Sequence, residues 1–311
     1  MTPGGPPDLS IVIINLNRLD YTTRALESIR AGTNAIAYEV ILIDNGSTRD
    51  ASAAELPRRF PWAHFIANDA NLGFGRASNQ GIRASSGRYV VLLNNDTLVL
   101  GNALSDAVAY MDDHGDVAAL GVLHYNDDEP RTIQESAFPF PTPLLELLVA
   151  VGLARPPARS SDTLLRTERD VDWICGSFWL MRREAIDRVG PLDERFFAYD
   201  EDIDWCRRAR DAGLRVRFWP GAAIVHRGGG ARPFMRDKTF VHFRSRLSYL
   251  RKHHGVAMAA LYYLGMTGLL TGATIKETVR VLTRRGSAAS LQERWARQLA
   301  FMRLRVGGTG G

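Results

Sequence analysis

The chain has 311 residues, of which 45% are hydrophobic and 23% charged, a composition that argues against a disordered or fibrous protein. Its net charge of +5 is unevenly distributed, since residues 1–204 carry 18 Lys and Arg against 30 Asp and Glu, whereas residues 205–311 carry 21 against 4. The basic C-terminal third predicts an anionic partner: a membrane surface, a nucleic acid or a phosphate-bearing substrate.

The N-terminal half alternates short apolar runs with amphipathic segments. It predicts strands at 9–17, 38–47, 63–69 and 88–96, with helices at 21–32 and 75–86. This alternation is typical of a doubly wound α/β fold with a mostly parallel sheet, in which ligands bind beyond the carboxyl ends of the strands. No P-loop motif is present, and the first βα turn, NLNRLDYT, has no glycine. We therefore expect nucleotide binding by another route than the P-loop or the dinucleotide fingerprint.

Polar residues follow the predicted strands at their carboxyl ends. They are Asn15, Asn17, Asp44, Asn45, Asn94, Asn95 and Asp96. Because alternate residues of a strand face the same way, Asn94 and Asp96 are expected to point together, and their oxygens suit Mg²⁺ or Mn²⁺. Asp44 is placed to accept hydrogen bonds from a ribose or a base. Ordinary turns are the alternative for both segments.

The segment NLGFGRASNQGI (71–82) has two glycines before a predicted helix, where the backbone can approach a ligand closely. Downstream, residues from about 127 to 170 are rich in proline and predict an irregular loop over a site, with an apolar piece at 144–154. Residues 172–186 return to an apolar, aromatic pattern.

Two further segments predict chemistry. The stretch YDEDIDWC (199–206) places four carboxylates just before a helix predicted to end at Gly213. Acidic residues favour the positive end of a helix dipole, which is the structural alternative. The aromatic residues before the cluster would raise the proton affinity of a carboxylate, as a general base requires. His226 follows another apolar strand, and a metal-ligating imidazole and a structural histidine are both open there.

These motifs, in this order, resemble family 2 glycosyltransferases of the GT-A fold over roughly residues 9–250. IDNGS is similar to the nucleotide-binding aspartate segment, and LLNNDT lies where the family has its metal-binding D-x-D. WICGSFWLMRREAIDRVGPLDERFF is similar to the acceptor-side segment, YDEDIDWCRRARDAG to the segment with the catalytic aspartate, and IVHRGGG to the segment whose histidine completes the metal site. The first position of the D-x-D is Asn94, which leaves Asp96 as its carboxylate.

The resemblance assigns roles position by position. Asp202 would be the catalytic base, supported by Glu201, and Asp96 and His226 would hold Mg²⁺ or Mn²⁺. Asp204 would serve the start of the helix. The expected nucleotide-binding residues are Asn15, Asn17, Asp44, Asn71, Gly73, Asn79, Asn94 and Asn95, and the expected acceptor-binding residues are Trp173, Gly176 and Asp200.

The same resemblance implies an inverting transferase of the bacterial rhamnosyltransferase-like branch in cell-wall or O-antigen synthesis. Its donor would be a dTDP- or UDP-sugar, and its acceptor a glycan or a polyprenyl diphosphate-linked sugar. Galactofuranosyl or N-acetylglucosaminyl transfer, and a non-catalytic nucleotide-sugar-binding protein, are the alternatives. We expect a catalytic domain at 1–235, with a nucleotide-sugar half at about 9–125 and an acceptor half at about 126–235, followed by a helical region at 236–311.

The C-terminal region combines basic and apolar segments. Residues 240–255 predict a basic helix, and residues 256–275 contain no charged residue. The second segment could lie in a membrane interface or pack in a core, span a bilayer, or form an interface in a homo-oligomer. Its basic neighbours favour an anionic membrane surface, and no motif for nucleic acid is present.

Two features predict the cellular location. The first ten residues, MTPGGPPDLS, lack the basic and apolar stretches of a secretory signal. The two cysteines, Cys175 and Cys206, are too few for a disulfide framework and favour a reducing compartment. We therefore expect a cytoplasmic protein, peripheral on the inner face of the cell membrane.

Overall fold

A computed structural model describes residues 5–33, 35–127, 131–150, 153, 160–228, 238–283 and 287–302. Within these residues the chain divides into two compact units. The first comprises residues up to 140, 160–197 and 201–228, and the second comprises 141–150, 153, 198–200 and everything described from 238 onward. The domain boundary predicted after residue 235 stays a prediction, because residues 229–237 lie outside the described part of the chain.

The first unit is built on strands β1 to β12 and on most of the helices. The strands are β1 (Leu9–Asn15), β2 (Tyr38–Asp44), β3 (His64–Ala67), β4 (Tyr89–Asn94), β5 (Thr97–Val99), β6 (Val117–Tyr125), β7 (Ile133–Gln134), β8 (Ala137–Phe138), β9 (Arg169–Asp170), β10 (Trp173–Ile174), β11 (Phe178–Arg182) and β12 (Arg215–His226). The helices are α1 (Leu19–Gly32), α2 (Ser52–Arg59), α3 (Phe74–Ala84), α4 (Ala103–Asp113), α5 (Pro143–Ala150, in the second unit), α6 (Asp162–Leu165), α7 (Arg183–Val189) and α8 (Glu201–Asp211).

The main sheet has the strand order β3-β2-β1-β4-β11-β6-β12-β5. Strands β1 to β4 pair in parallel, β11 runs antiparallel between β4 and β6, and β12 pairs in parallel with β6. Alternate residues of β1 enter two different apolar cores, since Ile11 and Ile13 pack in one and Val12 in the other. The sheet is therefore covered on both faces, which confirms the predicted α/β fold with a mostly parallel sheet flanked by helices.

The predicted strands and helices of the N-terminal half are confirmed, with ends shifted by up to three residues. One shift matters for the site. Strand β4 ends at Asn94, and Asn95 and Asp96 form a turn into β5. Asp96 is therefore not on the strand, so strand alternation is not what aligns it with Asn94. The turn nevertheless brings the side chains of Asn94 and Asp96 to the same ring nitrogen of His226, at 3.5 and 3.3 Å.

The prediction of an irregular loop over about 127–170 was also wrong for much of that segment. Strands β7 and β8, helix α5, helix α6 and strand β9 all fall within it. The short strands form because their neighbours offer open edges: β7 pairs with β6, β8 with β10, and β9 with β12. Parts of the predicted apolar piece at 144–154 lie outside the described residues.

The second unit contains α5, a long helical segment α9 (Lys238–Leu282) and α10 (Ala288–Met302). Gly255 interrupts α9 with left-handed backbone angles, φ 85° and ψ 167°, so the basic and the apolar parts are separate helices. Polar bonds join α9 to α10, from Ser290 to Glu277 at 2.6 Å and from Gln298 to Thr271 at 2.8 Å. They fix the register of this helix pair.

The segment Phe240–Leu282 is long and apolar enough to cross a membrane by length and composition alone, with a mean hydropathy of 1.4 in its most apolar window. Only 17% of that window is buried within the chain. Exposed apolar side chains on this segment include Val256, Leu261, Leu264, Ile275, Val279 and Leu282.

Candidate active site

A network of side chains closes the carboxyl ends of β1, β2 and β4. Asn15, paired with Asp44 across β1 and β2, donates to Asp44 Oδ1 at 2.6 Å. Ser47 donates its hydroxyl to the same oxygen at 2.6 Å and its backbone N–H to Oδ2 at 3.0 Å. Thr22 donates to Asn15 Oδ1 at 2.7 Å, and Asn95 donates to Thr22 at 3.2 Å. The structure thus brings three of the predicted nucleotide-binding residues together.

Asn17 holds the turn after β2. Its Oδ1 accepts hydrogen bonds from the backbone N–H groups of Thr48 and Arg49, at 2.8 and 2.6 Å. Asn17 has a left-handed φ of 54°, which asparagine tolerates better than most residues. Asn45, beside Asp44, donates to Asn71 at 3.0 Å and so ties the NLGFG segment to the same sheet edge.

Gly73 lies where a side chain would not fit. Its φ is 86°, and a Cβ there would meet the carbonyl oxygen of Phe197. The next residue, Phe74, donates its N–H to that same carbonyl at 2.7 Å. The start of α3 is therefore packed directly against the chain that leads toward α8.

Asn79 has protein partners on the 192–194 segment, and its predicted nucleotide contact stays a prediction. Asn79 is buried on α3, where it donates to the carbonyl of Leu192 at 2.9 Å and to Glu194 at 3.1 Å. Its Oδ1 accepts from the N–H of Leu192 at 3.0 Å. These hydrogen bonds hold α3 against the 192–194 segment and leave one acceptor position on Oδ1.

The two predicted metal ligands lie side by side. His226 Nε2 is 3.3 Å from Asp96 Oδ1 and 3.5 Å from the amide nitrogen of Asn94. The other ring nitrogen, Nδ1, is 2.7 Å from Oε1 of Gln134 on β7. A backbone bond of 3.0 Å from Arg227 to the carbonyl of Asp96 holds the end of β12 beside the turn after β4.

This pair fits a divalent cation. Gln134 Oε1 accepts a hydrogen bond from the Nδ1–H of His226, and in the neutral imidazole the lone pair of Nε2 then faces Asp96 Oδ1. A cation bound by both atoms would stabilise the close approach of Nε2 and Oδ1, which lie 3.3 Å apart. Among the described residues no group of three or more His, Cys, Asp or Glu side chains could hold a metal. Asp96 and His226 would therefore be two of its ligands, with phosphate oxygens and water completing the shell.

Asp202 is held at the start of α8 by backbone N–H groups. Gly176 donates to Oδ2 at 3.2 Å and Ile203 donates to Oδ1 at 2.9 Å. Burial raises the pKa of Asp202 to about 6, although these two hydrogen bonds act in the opposite direction. A Cβ at Gly176 would lie 3.7 Å from Oδ2 and 3.8 Å from the ring of Phe74, which are ordinary van der Waals distances.

The other acidic residues of α8 differ from one another. Asp204 is fully buried and accepts a hydrogen bond of 3.0 Å from Arg208, one turn along. Arg208 also donates to the carbonyls of Val189 and Pro191, so Asp204 anchors α8 to the chain after α7. Its predicted role at the helix start is thus only part of its role. Glu201, the first residue of α8, is buried, and its catalytic role stays a prediction.

Two predicted acceptor residues have defined partners. Both carboxylate oxygens of Asp200 accept hydrogen bonds from Arg246, at 2.8 and 3.0 Å, within the second unit. Trp173 donates its indole N–H to the carbonyl of Pro139 and stacks on Phe138, with ring centroids 4.6 Å apart. Their roles in acceptor binding stay predictions, as does that of Gly176.

Sequence reasoning missed several residues of the site. Gln134 and Thr22 carry no motif of their own: the fold brings Gln134 to His226 from 92 positions away, whereas Thr22 lies seven positions after Asn15. Asn45 and Ser47 both lie within the IDNGS segment at the end of β2. Its turn-forming residues were the sequence signal that could have identified Ser47 as a partner of Asp44.

Comparison with known proteins shows the family of the chain. The family model described as "Glycosyl transferase family 2" matches residues 10–190. The N-acetylglucosaminyl-diphospho-decaprenol L-rhamnosyltransferase of Mycobacterium tuberculosis is 29% identical over 79% of this chain and 81% of its own length. Rhamnosyltransferase WbbL of Escherichia coli is 25% identical over 78% of this chain and 92% of its own length.

Solved structures share the fold. The mannosyltransferase PcManGT of Pyrobaculum calidifontis, solved with GDP-Man and Mn²⁺, has a TM-score of 0.55 at 17% identity and covers 96% of this chain and 86% of its own. GalNAc-T7, solved with UDP, GalNAc and Mn²⁺, has a TM-score of 0.58 at 16% identity over 79% of this chain, which spans about half (48%) of the GalNAc-T7 chain. The fold is GT-A, and the chain is a glycosyltransferase that belongs to glycosyl transferase family 2.

Proposed function

We propose that the chain is an inverting, metal-dependent transferase that moves a sugar, with rhamnose favoured, from a dTDP- or UDP-sugar to a glycan or a polyprenyl diphosphate-linked acceptor. The observation that carries the proposal is Asp202: a carboxylate with a pKa of about 6, fixed at the start of α8 by the N–H groups of Gly176 and Ile203. Such a group is deprotonated near neutral pH yet basic enough to accept a proton from a sugar hydroxyl.

The reaction is a single displacement. Asp202 accepts the proton of the acceptor hydroxyl as its oxygen forms a bond to the anomeric carbon of the donor. The bond between that carbon and the phosphate oxygen breaks on the opposite face, and the nucleoside diphosphate leaves with the electron pair. The configuration at the anomeric carbon is thereby inverted. The proton on Asp202 is released to solvent before the next cycle.

Asp96 and His226 are the residues that would hold Mg²⁺ or Mn²⁺, with Gln134 orienting the imidazole. A cation bound there would supply positive charge to the departing diphosphate. The network around Asn15 and Asp44 lies at the same carboxyl edge of the sheet and would contact the nucleoside. Supporting this assignment, the GT-A structures named above were solved with Mn²⁺.

The favoured sugar and acceptor rest on the relatives. The Mycobacterium tuberculosis protein is named as a rhamnosyltransferase acting on N-acetylglucosaminyl-diphospho-decaprenol, and WbbL is a rhamnosyltransferase. These names favour dTDP-rhamnose and a lipid diphosphate-linked N-acetylglucosamine in bacterial cell-wall synthesis. Two alternatives remain for the test to separate. The donor could carry galactofuranose or N-acetylglucosamine, or the chain could bind a nucleotide sugar without transferring it.

A thermal-shift screen tests the donor site. Mn²⁺ or Mg²⁺ is combined in turn with dTDP, UDP, GDP and ATP, on the wild type and on Asp96→Ala, with Asp113→Ala at an exposed end of α4 as the matched control. We expect a metal-dependent rise in Tm with dTDP or UDP that Asp96→Ala loses and Asp113→Ala keeps. Metal-independent stabilisation, equal in all three proteins, would contradict the metal site.

We propose further that the apolar part of α9 lies on an anionic membrane surface on the inner face of the cell membrane. Exposed apolar side chains recur on it at Leu261, Leu264, Ile275, Val279 and Leu282. At 3.6 residues per turn these five fall within an arc of about 60°. Lys276 and Arg280 lie beside this apolar stripe, where they can meet anionic headgroups, as an interfacial helix requires.

Vesicle flotation tests this placement. The full chain is mixed with vesicles of phosphatidylcholine alone or of phosphatidylcholine with phosphatidylglycerol, and the variant Leu261→Glu/Leu264→Glu is compared with Leu164→Glu on α6, which is also exposed. We expect binding to the anionic vesicles that weakens in salt and is lost only in the double variant. Binding to neither vesicle, together with a concentration-dependent dimer that the double variant loses, would assign the apolar stripe to a homo-oligomer.

A further inference from the structure

Three consecutive residues before the catalytic helix are held by one face of α9. The hydroxyl of Ser245 donates to the carbonyl of Ala198 at 2.7 Å. The rings of Tyr199 and His242 make an edge contact with centroids 5.7 Å apart. Arg246 then engages both oxygens of Asp200. The segment 198–200 accordingly groups with the second unit.

This segment adopts a backbone conformation that its residues do not favour. Tyr199 has a φ of 70° and Asp200 a φ of 66°, both in the left-handed region that residues with a Cβ rarely occupy. Such a conformation persists when the surrounding contacts impose it. Contacts from α9 hold this segment, and they include the bidentate ion pair, in which the side chain of Arg246 is 7% exposed and that of Asp200 is 2% exposed.

One peptide bond joins Asp200 to Glu201, the first residue of α8, and Asp202 follows. The direction in which the chain leaves Asp200 therefore sets where the first turn of α8 begins. The bonds from Gly176 and Ile203 to Asp202 both depend on that turn. A misplacement of about 1 Å at a reacting group is enough to lower a rate by about 100-fold.

We infer that Arg246 is a positioning residue for transfer: by fixing Asp200 it fixes the start of α8 and, with it, the carboxylate of Asp202. This inference rests on the proposed role of Asp202 as the base. It links catalysis to a residue of the C-terminal helical unit, 44 positions beyond Asp202, that no motif of the catalytic segment contains. The ion pair between Arg246 and Asp200 is the contact through which α9 positions the start of α8.

Four variants test the inference. Arg246→Met breaks the ion pair, Arg246→Lys keeps the charge without the two-pronged geometry, and Asp200→Asn/Arg246→Met removes both charges so that no buried carboxylate is stranded. Arg244→Met, at an exposed position on the same helix, is the matched control. Amide hydrogen exchange over residues 199–206 comes first, because it needs no substrate. We expect faster amide exchange than in the wild type in Arg246→Met and in the double variant. Arg244→Met should exchange at the rate of the wild type.

Steady-state transfer from dTDP-rhamnose to a short-chain lipid diphosphate-linked N-acetylglucosamine comes second. We expect kcat to fall about 100-fold in Arg246→Met and in the double variant, with KM for the donor within about twofold of the wild type, and an intermediate loss in Arg246→Lys. A double variant with the kcat of the wild type, or unchanged exchange in Arg246→Met, would overturn the inference. An active Asp202→Asn would instead overturn the proposed function, so the two failures are distinguishable.

Discussion

His226 Nε2 lies 3.3 Å from Asp96 Oδ1, although 130 residues separate them in the chain. The pairing of β12 with β5 and the backbone bond from Arg227 to Asp96 bring them together. Gln134 orients the imidazole, because its Oε1 accepts a hydrogen bond from the Nδ1–H of His226. The proposed cation site would therefore be assembled from three chain segments, and its affinity would depend on Gln134, which binds no metal itself.

The first prediction concerns that residue. Gln134→Leu removes the acceptor for the Nδ1 proton, so His226 can rotate or change tautomer. We expect the affinity for Mn²⁺ in the presence of UDP or dTDP to fall by about 10- to 100-fold. Isothermal titration of Mn²⁺ measures it, with Gln80→Leu on α3 as a control glutamine. Equal Mn²⁺ affinity in Gln134→Leu and in the wild type would contradict the proposed tautomer.

The second prediction concerns pH. The base must be deprotonated, and burial raises the pKa of Asp202 to about 6, above the value of about 3.9 for an exposed aspartate. We therefore expect kcat/KM to fall as the pH drops through about 6, because a growing fraction of Asp202 is then protonated. Initial rates measured from about pH 4.5 to about pH 8.5 would show this fall in kcat/KM. Full activity maintained down to about pH 4.5 would argue against a buried base.

The third prediction separates two arginines on α8. Arg208 pairs with the fully buried Asp204, whereas Arg207 pairs with Asp211, whose side chain is 58% exposed. Arg208→Met strands a buried carboxylate and should lower the free energy of unfolding by about 3–5 kcal/mol. Arg207→Met should lower it by less than about 1 kcal/mol. Urea unfolding of both variants measures the difference, and similar losses in the two would show that Asp204 is not held by Arg208.

The fourth prediction isolates the close approach at Gly73. Gly73→Ala combines an unfavourable φ with a clash against the carbonyl of Phe197, whereas Gly213→Ala has a similar φ of 75° and open space around the added Cβ. We expect the backbone strain to cost about 1–2 kcal/mol in both and the clash to add to it only in Gly73→Ala. Unfolding by urea, with nucleotide-dependent shifts in Tm alongside, compares them. Equal losses of unfolding free energy in the two variants would mean that the backbone at Phe197 shifts at little cost.

The sequence predicted the parts of the molecule that local patterns determine. Strands such as Ile11–Ile13 are apolar on both faces and could belong only to a covered sheet, and the glycine after α8 marked its end. The contacts of Arg246 and Gln134 could not be read in this way. Each joins positions 46 or more residues apart, and a single arginine or glutamine carries no local signal of its partner.

The turn at Asn95 and Asp96 shows a different limit. The apolar run before it predicted a strand through Asp96, but β4 ends at Asn94, whose N–H donates to the carbonyl of Ser177 at 3.1 Å, and β5 begins at Thr97. The backbone conformation of Asn-Asn-Asp was ambiguous between strand end and turn. The structure places Asp96 beside His226, as expected, through a turn instead of through strand alternation, and its role as a metal ligand stays a prediction.

The most direct test of the account is the substitution of Asp202 by asparagine. Asn keeps the size of the side chain and one acceptor for the N–H of Gly176 or Ile203, and removes the base. With dTDP-rhamnose and a lipid diphosphate-linked acceptor, we predict that Asp202→Asn lowers kcat by about 1,000-fold while the metal-dependent shift in Tm with dTDP or UDP is retained. Transfer at the rate of the wild type, or loss of nucleotide binding together with transfer, would contradict the assignment of Asp202 as the catalytic base.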